Sequence, residues 1–200
     1  MVTLVIDKER FSTFFSSEKF LGFRLANLHE DGYNYVDIWT KESNLTYIST
    51  REELLNYKYQ DKPLIGLFAH SHLEYFLERQ DFEPTVEEMT EVAIEKLSRN
   101  PNGYYLFVEG GQIDFGHHGA TPVHALTEYL EFDKAVGVGI EKTDPEETLL
   151  LVSADHSHVF TLGGYGTRGT DIFGLGERSA TFVDWNILNG TDNENVHLSE

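Results

Sequence analysis

Residues 104–118 read YYLFVEGGQIDFGHH, and their order decides the fold: five apolar or aromatic residues, an acid, two glycines, and a segment that closes on two histidines. A run such as YYLFV at 104–108 has no polar position to mark a solvent side, so it reads as a strand buried on both faces. Gly110 and Gly111 let the chain turn sharply behind it. Asp114 and His118 stand four apart and share one face if the segment is helical.

The same alternation extends outward in both directions. Upstream, TVEE at 85–88 has the form of a capping box, with Thr85 as N-cap and Glu88 three residues on. The helix it opens places Met89, Val92, Ala93 and Leu97 on one stripe and stops before NPNG at 100–103. Earlier still, PLIGLFA at 63–69 reads as another buried strand. Downstream, a helix is expected over 122–136, and TLLLVS at 148–153 reads as a third buried strand. Strand, helix, strand, helix, strand at this spacing predicts an α/β fold, a mostly parallel sheet with helices on both faces. The chain divides into a polar, aromatic-rich lead-in over 1–62, an α/β core over 63–178 and a divergent tail over 179–200.

A sheet of this kind binds ligands beyond the carboxyl ends of its strands. Glu109, Asp114, His117 and His118 follow one expected strand, and Asp155, His156 and His158 follow the next. With no cysteine in the chain, a metal would be held by carboxylate and imidazole, both of which zinc accepts. Glu109 is a hard oxygen donor suited to magnesium. Taken singly, each piece has a plainer reading. Glu109 could be a solvated strand end, His117 and His118 a polar helix start, and Asp155 the cap of a turn. Taken together at two strand ends, they read as a metal site.

Charge narrows the partners. Fifteen Lys and Arg against 34 Asp and Glu leave a net charge of −19. Such a surface repels nucleic acid and anionic membranes. It repels phosphate esters as well, unless bound divalent ions concentrate positive charge at one place. No apolar stretch reaches the roughly 18 residues that span a membrane. The first ten residues carry charges too early for a secretory signal, so the expectation is a chain that stays inside or whose natural start lies elsewhere. Sequons stand at Asn44 and Asn189, a pattern that arises often by chance.

The segments EGGQIDFGHH at 109–118 and ADHSHVF at 154–160 resemble the metal-binding segments of animal alkaline phosphatases. So do GLF at 66–68, EMTEVA at 88–93, LSRNP at 97–101, GGY at 163–165 and RGTDIFGL at 168–175, with a weaker likeness through REELL at 51–55 towards Ser16. The resemblance runs over about 16–178, and the insect members look closest. The same two metal segments favour this family over other metallohydrolases of the same broad superfamily, such as sulfatases.

The resemblance implies a phosphate monoester hydrolase with two zinc ions and one magnesium ion. It implies Glu109 as a magnesium ligand, Asp114 and His118 as ligands of the first zinc, and Asp155 and His156 as ligands of the second. His117 and His158 match family histidines that pack beside the ligands or orient them. It further implies a homodimer in the complete protein, at the cell surface or outside the cell. A membrane would then be reached only through an anchor, and neither that anchor nor a signal segment falls within these residues. No catalytic residue is implied within the chain: the family's serine nucleophile, an aspartate bridging zinc and magnesium, a hydroxyl ligand, a phosphate-gripping arginine and the last zinc histidine match no position here. The isolated chain is therefore expected to be inactive, and the alternative is a short non-catalytic paralogue that binds metal or a partner. Phe115 stands where vertebrate members carry histidine and bacterial ones lysine, and Ala69 where vertebrate members carry a calcium-binding glutamate.

Overall fold

The computed structural model describes residues 4–6, 34–42, 44–69, 71–161, 168–169, 171, 173, 175–176 and 196–197. GGY at 163–165, Asn189, the stretch from Ser16 to residue 33 and nearly all of 179–200 lie outside the described residues. The elements in chain order are β1 (Leu4–Ile6), α1 (Tyr35–Glu42), β2 (Thr46–Ile48), α2 (Arg51–Leu55), β3 (Leu64–Gly66), α3 (Val86–Leu97), α4 (Gln112–His118), α5 (Pro122–Lys142), β4 (Leu175–Gly176) and β5 (Val196–His197).

One sheet has the order β1-β3-β2. Within it β2 runs parallel to β3, joined by a crossover that contains α2, and β1 runs antiparallel to β3. A second, two-stranded sheet pairs β4 with β5. The class is α/β, with helices packed around a sheet whose β2–β3 pair is parallel.

Local chemistry starts the two helices nearest the core. Thr50 caps α2 and Thr85 caps α3, each in a reciprocal box with the glutamate three residues on, Glu53 and Glu88. Glu88 has a second use, since the Arg51 guanidinium reaches one of its oxygens at 2.5 Å and ties α2 to α3. Beneath the caps lies the core of Ile48, Leu54, Leu64, Phe68, Met89 and Ala93, with Leu106 packed against it. Ile48 and Leu54, which precede Pro63, thus share one core with the residues that follow it. Lys96 is also buried, its charge satisfied by the carbonyls of Lys62 and Gln60 at 2.7 and 3.0 Å and the Tyr57 hydroxyl at 3.2 Å.

Two expected strands are not strands. Residues 104–108 and 148–153 belong to neither described sheet. Burial on both faces is not met either. Tyr105 is 63% exposed, while its neighbours Tyr104 and Leu106 are half-buried. Leu149 and Leu151 are 82% and 80% exposed. An apolar run records a capacity for burial, whereas a strand needs a backbone partner at the right distance, and periodicity carries no information about that partner.

The last helix runs six residues beyond its expected end, to Lys142. Two glycines near its end, at 137 and 139, disfavour helix on propensity alone. At Gly139 the 148–153 segment crosses the helix closely: a Cβ there would stand 2.6 Å from the tip of the Leu150 side chain.

Candidate functional site

Helix α4 is a short element that carries Asp114 in its first turn and His117 and His118 in its last. The placement suits the helix dipole at both ends. Gly116, on the opposite side, is buried against α5, and a Cβ there would come within 2.6 Å of the Ala125 backbone nitrogen. That close approach presses α4 onto α5 and fixes the direction in which Asp114 leaves it.

The segment after residue 153 meets α4 at Asp114. His158 Nε2 lies 2.6 Å from Asp114 Oδ1, across 44 positions of sequence. His156 Nε2 is 3.5 Å from the same oxygen, and His118 Nε2 is 3.5 Å from Oδ2. Asp155 Oδ2 is 3.4 Å from His156 Nε2. Rings gather around this carboxylate. His117 stacks on His158 with centroids 4.9 Å apart, His118 and His156 meet His158 edge-on at 4.9 and 5.0 Å, and Phe160 closes on His117 at 5.7 Å.

Of the residues expected at the site, Asp114, His117, His118, Asp155, His156 and His158 are therefore brought together by contact. Ligating atoms of Asp114, His156 and His158 all lie within 4.8 Å of one another. Glu109 is outside this group. It is exposed and stands on the rim of a cleft with Gln112, Glu128 and Glu131.

The electrostatics follow from that geometry. The hydrogen bond from His158 holds the Asp114 carboxyl below its usual range; partial burial opposes this, and the nearby His118, His158 and His156 reinforce it. Burial pushes the His117 imidazole down, and the His158 charge adds to the effect against the pull of Asp114. A carboxylate ligates a cation in its ionised form, the form that the low Asp114 pKa favours. Zinc binds carboxylate oxygen and imidazole nitrogen, so the donor set fits that ion.

One neighbour went unnoticed in the sequence. His72 packs its ring 4.4 Å from Phe115, and its buried Nδ1 has no hydrogen-bond partner among the described residues. The sequence reads HSHLEYF over 70–76, so the signal that could have marked His72 is its spacing of two from His70, a pair too short to point to a site without a third ligand.

Comparison with known proteins adds an independent line. The profile of the alkaline phosphatase family matches residues 12–188. The tissue-nonspecific alkaline phosphatase of Felis catus is 46% identical over 164 residues, which cover 79% of this chain and 30% of that protein. The membrane-bound alkaline phosphatase of Bombyx mori is 46% identical over 156 residues, 74% of this chain and 28% of that protein. Among solved structures, the alkaline phosphatase of Thermus thermophilus is similar with a TM-score of 0.54 at 25% identity, over 60% of this chain and 26% of that chain. The chain thus spans about 30% of the length of the curated relatives it matches.

Proposed function

This chain belongs to the alkaline phosphatase family, and from that premise we propose that it forms one wall of a metal centre for hydrolysis of phosphate monoesters. The observation that carries the proposal is that the Asp114 carboxylate meets His118, His156 and His158 at 2.6–3.5 Å, on two segments that both fall inside the family match.

Zinc is the ion that the mixed oxygen and nitrogen donors suit. In our reading Asp114 and His118 hold one zinc, Asp155 and His156 a second, and Glu109 a magnesium ion. Bound divalent ions supply the concentrated positive charge that a chain of net charge −19 otherwise denies to a phosphate ester.

The chain's own residues prepare the place. His158 donates to Asp114 Oδ1, which fixes the carboxylate and leaves Oδ2 turned towards His118. The stacked ring of His117 in turn fixes His158. Burial lowers the His117 imidazole pKa, which disfavours a positive charge on the ring stacked beside the site. Phe115 presents an apolar ring on the same short helix, 39% exposed and backed by His72.

Two or fewer ligands per ion from this chain are too few for a catalytic zinc site, which ordinarily has three. We therefore assign to the chain alone metal binding without turnover. The whole protein in our reading is a dimer at the cell surface, in line with the silkworm relative, whose name describes it as membrane-bound. Among the described residues no helix is long and apolar enough to cross a membrane.

Zinc titration of the purified chain by calorimetry, alongside hydrolysis of p-nitrophenyl phosphate, tests the reading. Saturable zinc binding is expected, and Asp114→Asn should weaken it by about 10–100-fold while leaving the melting temperature near that of the parent. Absence of zinc binding, or binding indifferent to Asp114→Asn, defeats the metal assignment. Robust zinc-dependent hydrolysis by the chain alone defeats the ligand count instead.

A further inference from the structure

Helix α4 carries Asp114, yet its own sequence does little to hold it in place. It spans seven residues, Gln112–His118, begins at Gly111 and has no side-chain cap at that end. Helices α2 and α3, by contrast, each start in a reciprocal capping box. So short a helix without a cap is marginal in water, and packing must set where it begins and how it is rotated.

The residues of α4 divide between two faces. At about 3.6 residues per turn, Gln112, Phe115 and Gly116 fall on one side, and Asp114, His117 and His118 on the other. The first side is gripped twice. Near its end, Gly116 lies close against the Ala125 backbone on α5. In its first turn, Gln112 Nε2 donates to the Leu73 carbonyl, 39 positions earlier in the chain. From the position next to Leu73, His72 packs its ring on Phe115 with centroids 4.4 Å apart. One grip would leave α4 free to pivot. Two, at opposite ends of one face, fix its tilt and rotation together.

Segment 72–78, which supplies the second grip, is irregular in backbone but tied to α5. The Phe76 backbone nitrogen donates to Glu128 at 2.5 Å, and His124 Nε2 lies 2.7 Å from Glu78 Oε1. The Tyr75 ring stacks on His124 with centroids 4.1 Å apart. The contacts close a ring: α5 holds the segment, the segment holds the first turn of α4, and α4 returns to α5 through Gly116. Gln112 supplies the hydrogen bond that joins segment to helix. Its amide is uncharged and stands on the face away from Asp114, so it is neither a ligand nor a charge for the site. A plainer role would be to add stability alone.

We propose that Gln112 is a positioning residue: its bond to the Leu73 carbonyl sets the rotation of α4, aims Asp114 at His158 and thereby sets the affinity of the metal centre. His72 supports it by packing on Phe115. The inference rests on the metal reading given above.

Calorimetric zinc titration of the full chain, with NMR of the His158 imidazole nitrogens in the metal-free chain, tests it. Gln112→Met nearly keeps the volume and removes the donor. It should weaken zinc binding about tenfold and move the His158 signal, because the 2.6 Å contact with Asp114 is disturbed. Gln112→Arg restores a donor of sufficient reach and should recover both. His72→Ala should act in the same direction to a smaller extent, and it serves as the test if Gln112→Met does not fold. A melting curve for each variant shows whether the fold survived. A lower melting temperature with zinc affinity and the His158 signal unchanged means that Gln112 only stabilises, and overturns the proposal. A moved signal with unchanged affinity, or no recovery in Gln112→Arg, overturns it as well. If the parent chain binds no zinc, the metal reading fails, and the His158 signal still decides whether Gln112 aims Asp114.

Discussion

Two regions of the molecule hold their groups in place by opposite means. Around α2 and α3, every device is redundant: two capping boxes, an inter-helix ion pair and a core in which Leu54, Leu64 and Ala93 are fully buried. Around Asp114, the imidazoles of His118 and His156 and the Asp155 carboxylate stand more than half exposed; Asp114 meets both imidazoles, and Asp155 joins through His156. Stability is concentrated where no chemistry is expected. The chemical groups are held by one short helix, one extended segment and a shared oxygen. A site built this way can accept ions from solvent, and its arrangement depends on few contacts.

Breaking the first region should give the largest effect. Leu54→Ala empties a fully buried position and should destabilise by about 2–5 kcal/mol in a denaturant titration, with the slope unchanged. Gly116→Ala attacks the joint between the two regions, because the added methyl meets backbone rather than a flexible side chain. A loss of about 1–3 kcal/mol is expected. Unlike Leu54→Ala, it should also weaken zinc binding under conditions where the variant is still folded. If Gly116→Ala leaves zinc affinity intact, α4 is not what aims Asp114.

Smaller effects sharpen the contrast. Thr85→Ala removes one half of the α3 capping box and should cost about 1 kcal/mol without touching the metal-binding isotherm. The smallest concerns acid. Burial works to raise the Glu88 carboxyl, but hydrogen bonding from Arg51 and the Thr85 backbone, with the Arg51 charge, brings it below its usual value. A carboxylate depressed in the fold stabilises it above the unfolded value, and that contribution disappears as pH falls through the folded value. Melting temperature should therefore fall on acidification, and Arg51→Met should flatten that fall. With the Arg51 side chain 37% exposed, solvent screening keeps the difference below about 1 kcal/mol.

Much of this was legible in the order of residues, for a reason visible in each case. The α3 capping box is a contact between Thr85 and Glu88, three apart, so sequence contains it whole. The apolar stripe of α3 and the i, i+4 pairing of Asp114 with His118 are local in the same sense. The extension of α5 was hidden because Gly137 and Gly139 argue against helix on propensity alone. Residues 104–108 and 148–153 were misjudged for the converse reason, as their composition is that of strands and only the partner is lacking from the described sheets.

What the sequence by itself determined is therefore the set of chemical groups, their family and the helices that cap themselves, since these rest on composition and on contacts three or four residues long. Only the tertiary structure decided that His158 grips Asp114, that Glu109 stands on a different cleft, and that Gln112 reaches the Leu73 carbonyl. Those facts join atoms dozens of positions apart, and such pairings are set by how whole elements pack, which no local pattern encodes.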